Sequence, residues 1–264
     1  MNVLDIPAYC INLDKRRDRW AKFSSQPAVK QMTQLKRFSA VDGANVNIFD
    51  NELISTKTVY NITNKTRRSH TEIDAIGAVG ASISHATIWK EFLETNKEYC
   101  IIFEDDVVVP DRFNEMILAA SSSLQDLKEE FHVWLIHYGV FVNNTYKPVQ
   151  GDWITPTKFF GMGCYILSRK GAEKLLQNVY PIEMHIDAYI QTKANIGDIL
   201  LLVNRRVYIP IRNSKSNIQH GKCDLCNIPD KIDQNNLRVV NKYYLYGIVG
   251  YAVAVSSYLL YRYV

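Results

Sequence analysis

Residues 99–109 read Tyr-Cys-Ile-Ile-Phe-Glu-Asp-Asp-Val-Val-Val, an apolar run rich in β-branched residues that meets three consecutive carboxylates. The run has the length and composition of a buried strand. Three adjacent acids do not belong inside a core, because desolvating an unpaired carboxylate costs several kcal/mol or more. A parallel strand whose carboxyl end opens into a crevice reconciles the two halves, and open α/β sheets bind ligands at that place. There Glu104, Asp105 and Asp106 could hold a hard divalent cation through oxygen. While the backbone stays extended, Glu104 and Asp106 face one side and Asp105 the other. That spacing suits a cation bridging protein to a diphosphate. A solvated acidic turn after a core strand fits the same residues equally well.

A chain of 264 residues can bury a sizeable core, with one domain plus an appendage as the default. The net charge of +4, with no basic run interleaved with aromatics, argues against a nucleic-acid partner. Cys10, Cys100 and Cys164 sit in apolar stretches, as buried free thiols do, which fits a reducing compartment. The Asn-x-Thr sequons at Asn61, Asn64 and Asn143 are therefore expected to stay unglycosylated. The first residues, Met-Asn-Val-Leu-Asp-Ile-Pro, lack the basic and apolar regions of a secretory signal.

Residues 243–261 carry no charge, close to the roughly 20 residues that span a bilayer as helix. Tyrosines cluster at both ends of this stretch, and Arg238, Lys242 and Arg262 flank it. The expectation is a domain over residues 1–240 and a single-pass C-terminal membrane anchor over 241–264. The flanking cations would leave the domain facing the cytoplasm. A buried terminal helix or an interfacial helix is the other reading of the same residues.

Residues 8–13 form a short apolar strand opening into Asp14, Lys15, Arg16, Arg17, Asp18 and Arg19, the pattern of a β–α unit with an anion-binding mouth or of a solvated helix start. Residues 35–41 are a second strand, ended by the Asp42-Gly43 turn signal. Residues 44–74 are polar, basic and without clear period, and read as a mobile excursion or lid. Residues 77–93 begin glycine-rich and settle into helical spacing, with Ile88, Trp89 and Phe92 inward and His85 near the entrance. Gly77 and Gly80 would allow close backbone approach there. A helix from Phe113 to about Leu127, strands at 133–138, 159–167 and 203–209, and a helix at 170–176 capped by Ser168 follow. This alternation predicts an α/β sheet with helices on its faces. Asp187 precedes an apolar-periodic segment, either as a helix cap or as a carboxylate at the sheet edge free to accept a proton. His220, Cys223 and Cys226 have the spacing of a zinc half-site without a second pair, so a local disulfide or chance spacing is preferred.

INLDKRRDRW (residues 11–20), FSAVDG (38–43), GAVGASISHATIWKEF (77–92), FEDDVVV (103–109), WLIHYG (134–139), GCYILSRKGAEKLL (163–176) and HIDAYI (185–190) follow one another in order. Together they resemble glycosyltransferase family 25, which includes lipooligosaccharide and collagen hydroxylysine galactosyltransferases. The resemblance covers roughly residues 8–220 and implies a GT-A type, Rossmann-like single domain with a mixed, mainly parallel sheet. It also implies a UDP-sugar donor, Mn²⁺ or alternatively Mg²⁺, inverting transfer, and a glycan, lipid-linked or protein acceptor. It puts Glu104 and Asp106 at the metal and Asp105 at the diphosphate, with His220 as a possible further ligand. Asn12, Asp14, Arg16, Arg19, Asp42 and His85 fall in elements near the nucleotide, and Asp187 is the candidate base. The residues 56–70 and the loop 214–222 depart from the family pattern. A catalytically inactive, membrane-tethered binding or scaffold protein is the alternative, and donor turnover separates the two.

Overall fold

The computed structural model describes residues 1–127, 130–139 and 145–212. In chain order these form β1 (Ala8–Asn12), α1 (Arg17–Ser24), α2 (Pro27–Lys30), β2 (Leu35–Ser39), α3 (Thr56–Asn64), α4 (Ile76–Leu93), β3 (Tyr99–Glu104) and α5 (Phe113–Ser121). There follow β4 (Val133–Gly139), β5 (Tyr146–Gln150), β6 (Trp153–Pro156), β7 (Phe160–Ser168), α6 (Arg169–Leu176), α7 (Ile186–Asn195) and β8 (Leu201–Asn204). Within the described residues the strands make one eight-stranded sheet in the order β2-β1-β3-β7-β4-β8-β6-β5.

Strand β1 runs parallel to both β2 and β3, and β4 runs parallel to β8. Strand β7 lies antiparallel between β3 and β4, and β6 is antiparallel to β8 and β5. The sheet is therefore mixed, with most strands pointing one way and β6 and β7 reversed. Alternate residues of each strand feed opposite faces. Ile101, Phe103, Trp134 and Ile136 meet Phe23 of α1, Val29 of α2, and Phe113 and Ile117 of α5. Cys100, Ile102, Leu135 and Tyr165 meet Ile88, Trp89 and Phe92 of α4, Leu175 of α6 and Ile190 of α7. Burial of each large apolar side chain stabilises the fold by about 1.5–3 kcal/mol, and both faces of the central strands are covered. The connection from β1 to β2 uses the first face and that from β2 to β3 the second. Direction reverses at β1, so a crevice opens between the carboxyl ends of β1 and β3.

The entrance of α4 presses on the turn that ends β2. A Cβ on Gly80 would overlap the Val41 carbonyl and stand 2.8 Å from the Gly43 nitrogen, and one on Gly43 would stand 2.6 Å from the Ile76 carbonyl carbon. The neighbours are backbone on both sides and cannot swing away. Gly80→Ala is expected to destabilise the fold by about 3 kcal/mol, the upper part of the overpacking range. A lower urea midpoint at unchanged m value would register it, and an unshifted midpoint would contradict the packing.

Several expectations need correction. Residues 44–74, which show no clear period in the sequence, hold the regular helix α3, capped by the Ser55 hydroxyl accepting from the Thr58 N–H. They also share a small apolar cluster of Ile48, Ile54, Ile73, Val79 and Ile182. The last strand is residues 201–204 and not 203–209, because the chain turns after Asn204. The helix from Phe113 ends at Ser121 and continues as a 3₁₀ turn, Ser122–Asp126. The hairpin of β5 and β6 was not anticipated. Cys10, Cys100 and Cys164 are buried free thiols as expected, and burial pushes all three well above the ordinary thiol range. Asn143, His220, Cys223, Cys226 and the apolar stretch 243–261 lie outside the described residues. Among the described residues no helix is long and apolar enough to cross a membrane.

Candidate active site at the carboxyl edge of the sheet

Strand β3 ends at Glu104, which lies beside Ile11 of β1. The chain turns at once, so Asp105 and Asp106 leave the extended alternation that the sequence suggested. Asp105 points inward and is 6% exposed. Its Oδ2 accepts from Asn12 Nδ2 at 2.6 Å and its Oδ1 from Arg19 Nη1 at 3.0 Å. Asn12 is buried too: its amide also donates to the Arg16 carbonyl at 3.0 Å, and its Oδ1 accepts from Arg37 Nε at 2.8 Å. The polar atoms of Asn12 and Asp105 are thus engaged by the protein, and they lock the end of β1 to the end of β3. Arg19 reaches past Asp105 to within 3.5 Å of Asp106 Oδ2. The Arg212 N–H donates to the Asp106 carbonyl at 2.7 Å, and Val107 bridges Ile211, so the chain leaves the described residues directly beside this cluster.

Three carboxylates face Arg19, which pairs with Asp105 and Asp106, and the charge of Arg16, so negative charge stays in excess. Burial raises the Asp106 carboxyl to about 6; the Glu104 charge and, less strongly, that of Asp105 add to this, against the lowering by Arg19. An oxygen-rich donor set with excess negative charge fits a hard divalent cation, and Glu104 and Asp106 are the residues that could hold it. Among the described residues no group of three or more His, Cys, Asp or Glu stands ready to hold a metal. A cation here would rely on further oxygens, such as those of a bound diphosphate.

Behind Glu104 lies His85, in the middle of α4 and not at its entrance, and 1% exposed. Its Nε2 is 3.9 Å from Glu104 Oε1, and its Nδ1 is 2.9 Å from the Tyr165 hydroxyl.

Asp187 occupies the first turn of α7, where the helix dipole favours a carboxylate, while the cap position belongs to His185. Its Oδ2 accepts from the Gly161 N–H at 2.6 Å and its Oδ1 from the Ala188 N–H at 2.7 Å. Gly161 has φ +72°, a conformation that favours glycine. Because β7 is antiparallel to β3, pairing Phe103 with Cys164, the start of β7 lies at the edge where β3 ends. The fold therefore brings Asp187 to the same edge of the sheet as the acidic cluster. Burial lowers the His185 imidazole below its ordinary range, opposed by the Asp187 charge.

The other sequence candidates ring the mouth of β1. Asp14 accepts from Ser39 Oγ at 2.7 Å and Arg37 Nη2 at 2.8 Å, and these contacts lower its carboxyl. Arg16 pairs with Asp18, and Asp42 pairs with Lys15 while capping the short turn Gly43–Asn45. Sequence reasoning missed Tyr165 and Arg212. Tyr165 reads as one more apolar residue of a core strand, and Arg212 as part of a polar loop; neither carries a local signal.

A mixed α/β sheet with carboxylates gathered where its strands end, at a reversal of strand order, is the arrangement in which doubly wound α/β domains bind ligands. The profile of glycosyltransferase family 25 (LPS biosynthesis protein) matches residues 5–190, and the chain belongs to that family. It is 23% identical over 204 residues to human procollagen galactosyltransferase 2, covering 71% of this chain and 30% of that protein. It is 28% identical over 120 residues to a putative glycosyltransferase of Haemophilus influenzae, covering 43% of this chain and 41% of that one. The chain thus spans well under half the length of either relative. Among solved structures, the inositol-1-phosphate CTP transferase of T. maritima aligns over 88% of this chain and 95% of its own at 10% identity and a TM-score of 0.35.

Proposed function

We propose that this chain is a GT-A type hexosyltransferase moving galactose or glucose from a UDP-sugar to a hydroxyl of a glycan, lipid-linked or protein acceptor, with inversion. The observation that carries the reading is a charge-crowded carboxylate cluster and a separate carboxylate, Asp187, at one edge of the sheet. Family membership and the likeness to a procollagen galactosyltransferase favour a sugar donor and a hydroxyl acceptor.

In this reading Glu104 and Asp106 hold Mn²⁺ or Mg²⁺, with His220 as a further ligand. The bound cation would neutralise the charge that develops on the leaving diphosphate. Asn12 and Asp105 fix the shape of the mouth, and Arg19 keeps the acidic turn in place. Asp14, Arg16 and Asp42 line the approach of the nucleotide. Asp187 accepts the proton of the acceptor hydroxyl as that oxygen bonds to the anomeric carbon and the bond from carbon to diphosphate oxygen breaks. The base and the leaving group stand on opposite faces of the sugar, the logic of inverting glycoside hydrolysis applied to an alcohol. Residues 241–264 would tether the domain, residues 1–240, to a membrane on its cytoplasmic side.

The test is UDP release by the full chain from UDP-galactose, UDP-glucose and UDP-N-acetylglucosamine, with Mn²⁺ or with EDTA. The expected outcome is slow hydrolysis of one donor, at least about tenfold faster with metal, a small part of what Lewis-acid assistance supplies. No release from any donor, together with no UDP binding by calorimetry, would overturn the proposal.

A further inference from the structure

Four side chains run in a line from the core to the acidic cluster. Trp89 Nε1 donates to the Tyr165 hydroxyl oxygen at 2.8 Å, Tyr165 lies 2.9 Å from His85 Nδ1, and His85 Nε2 faces Glu104 Oε1 at 3.9 Å. Trp89 and Tyr165 are wholly buried and His85 nearly so, whereas the Glu104 side chain is 30% exposed. The chain therefore starts in the core and ends at the crevice.

Its polarity follows from the donors. Indole N–H can only donate, so the Tyr165 oxygen accepts from Trp89 and its own proton is free to point elsewhere. Burial keeps that phenol protonated. The acceptor within reach is His85 Nδ1. With Nδ1 accepting, the ring proton sits on Nε2, facing the carboxylate. The opposite tautomer would give the Tyr165 oxygen a second donor, leave the phenol proton without this acceptor, and set a bare Nε2 lone pair against Glu104.

We infer that His85 is a positioning residue for Glu104, held by Trp89 and Tyr165 in the tautomer that presents Nε2–H to Oε1. The inference rests on the proposed role of Glu104 at the cation. At 3.9 Å the contact is longer than a hydrogen bond, and a small swing of the half-exposed glutamate closes it. One carboxylate oxygen is then anchored on the protein, and the other is turned to the crevice. Outer-shell partners of this kind orient a ligand, and their loss typically costs 10–100-fold in metal affinity. Nothing in the scheme requires His85 to touch the nucleotide.

The experiment measures Mn²⁺ binding to the full chain with saturating UDP, by electron paramagnetic resonance, for the wild type, H85L, H85Q and Y165F. H85L is expected to bind Mn²⁺ about 10–100-fold more weakly. H85Q places an amide N–H near the Nε2 position and should stay within about threefold of wild type. Y165F removes the tautomer lock and should fall between the two. Nitrogen-15 NMR of the His85 ring should show the Nε2–H tautomer in wild type without metal, a readout independent of binding and of variant folding. An Nδ1–H tautomer, or H85L binding Mn²⁺ as tightly as wild type, would overturn the inference while leaving the proposed function standing. If wild type itself binds no Mn²⁺ with UDP, the cation role of Glu104 fails and the inference falls with it.

Discussion

Asp106→Asn should abolish metal-dependent UDP release while leaving the chain folded. A Lewis-acid cation contributes several kcal/mol to stabilising a developing charge, and each 1.36 kcal/mol is a factor of ten, so the expected loss is about 10³-fold. Asparagine has nearly the same volume, and the Arg212 N–H bonds the Asp106 carbonyl, so the turn keeps its backbone anchor. The substitution also removes one of three neighbouring negative charges, at a carboxyl that burial first, and then the charges of Glu104 and Asp105, raises to about 6. In EDTA the variant should therefore melt no lower than wild type, because the repulsion it relieves opposed folding. Loss of activity at unchanged melting temperature, with EDTA no longer affecting the residual rate, is the expected pattern. A variant retaining a Mn²⁺-stimulated rate would remove Asp106 from the cation site.

What the sequence revealed was local, and what it concealed was partnership. The strand at 99–104 and the helix carrying Ile88, Trp89 and Phe92 announce themselves because burial imposes a period on neighbouring residues. The acidic turn after β3 was legible for the same reason: charges that break an apolar run mark where the core stops. That Asp105 turns inward was not legible, because its partner Asn12 lies 93 residues away. Nor was the Tyr165 hydroxyl, which sits in an apolar strand and is polar only toward His85 and Trp89, 80 and 76 residues distant. Helix α3 hid in a polar stretch because its support is non-local: the Thr58 hydroxyl donates to the Ile182 carbonyl at 2.9 Å, and Ile54 bridges Ile182. The β5–β6 hairpin hid because β5 is exposed along its whole length and carries Pro148, so it has no alternation to read.

Asp187→Asn separates the second carboxylate from the first. A general base contributes typically about 10²–10⁴-fold, so transfer to an acceptor should fall by about 10³-fold. Mn²⁺ and UDP binding should stay within a few-fold of wild type, since Asp187 reaches the site through β7 and α7 and not through the acidic turn. A purely structural role predicts something different. Asp187 holds the Gly161 and Ala188 N–H groups with its two oxygens, and asparagine can satisfy only one while turning its amide hydrogens toward the other. If that staple were its whole function, D187N would lower the melting temperature, and Asp187→Ser, which also loses the second bond, would be equally impaired in transfer and in donor binding. If Asp187 is the base, both variants keep donor affinity and lose transfer. The comparison that decides is D187N beside D106N: donor binding preserved in the first and metal dependence lost in the second assigns each carboxylate its own task, whereas equal loss of donor binding in both would merge them into one structural cluster.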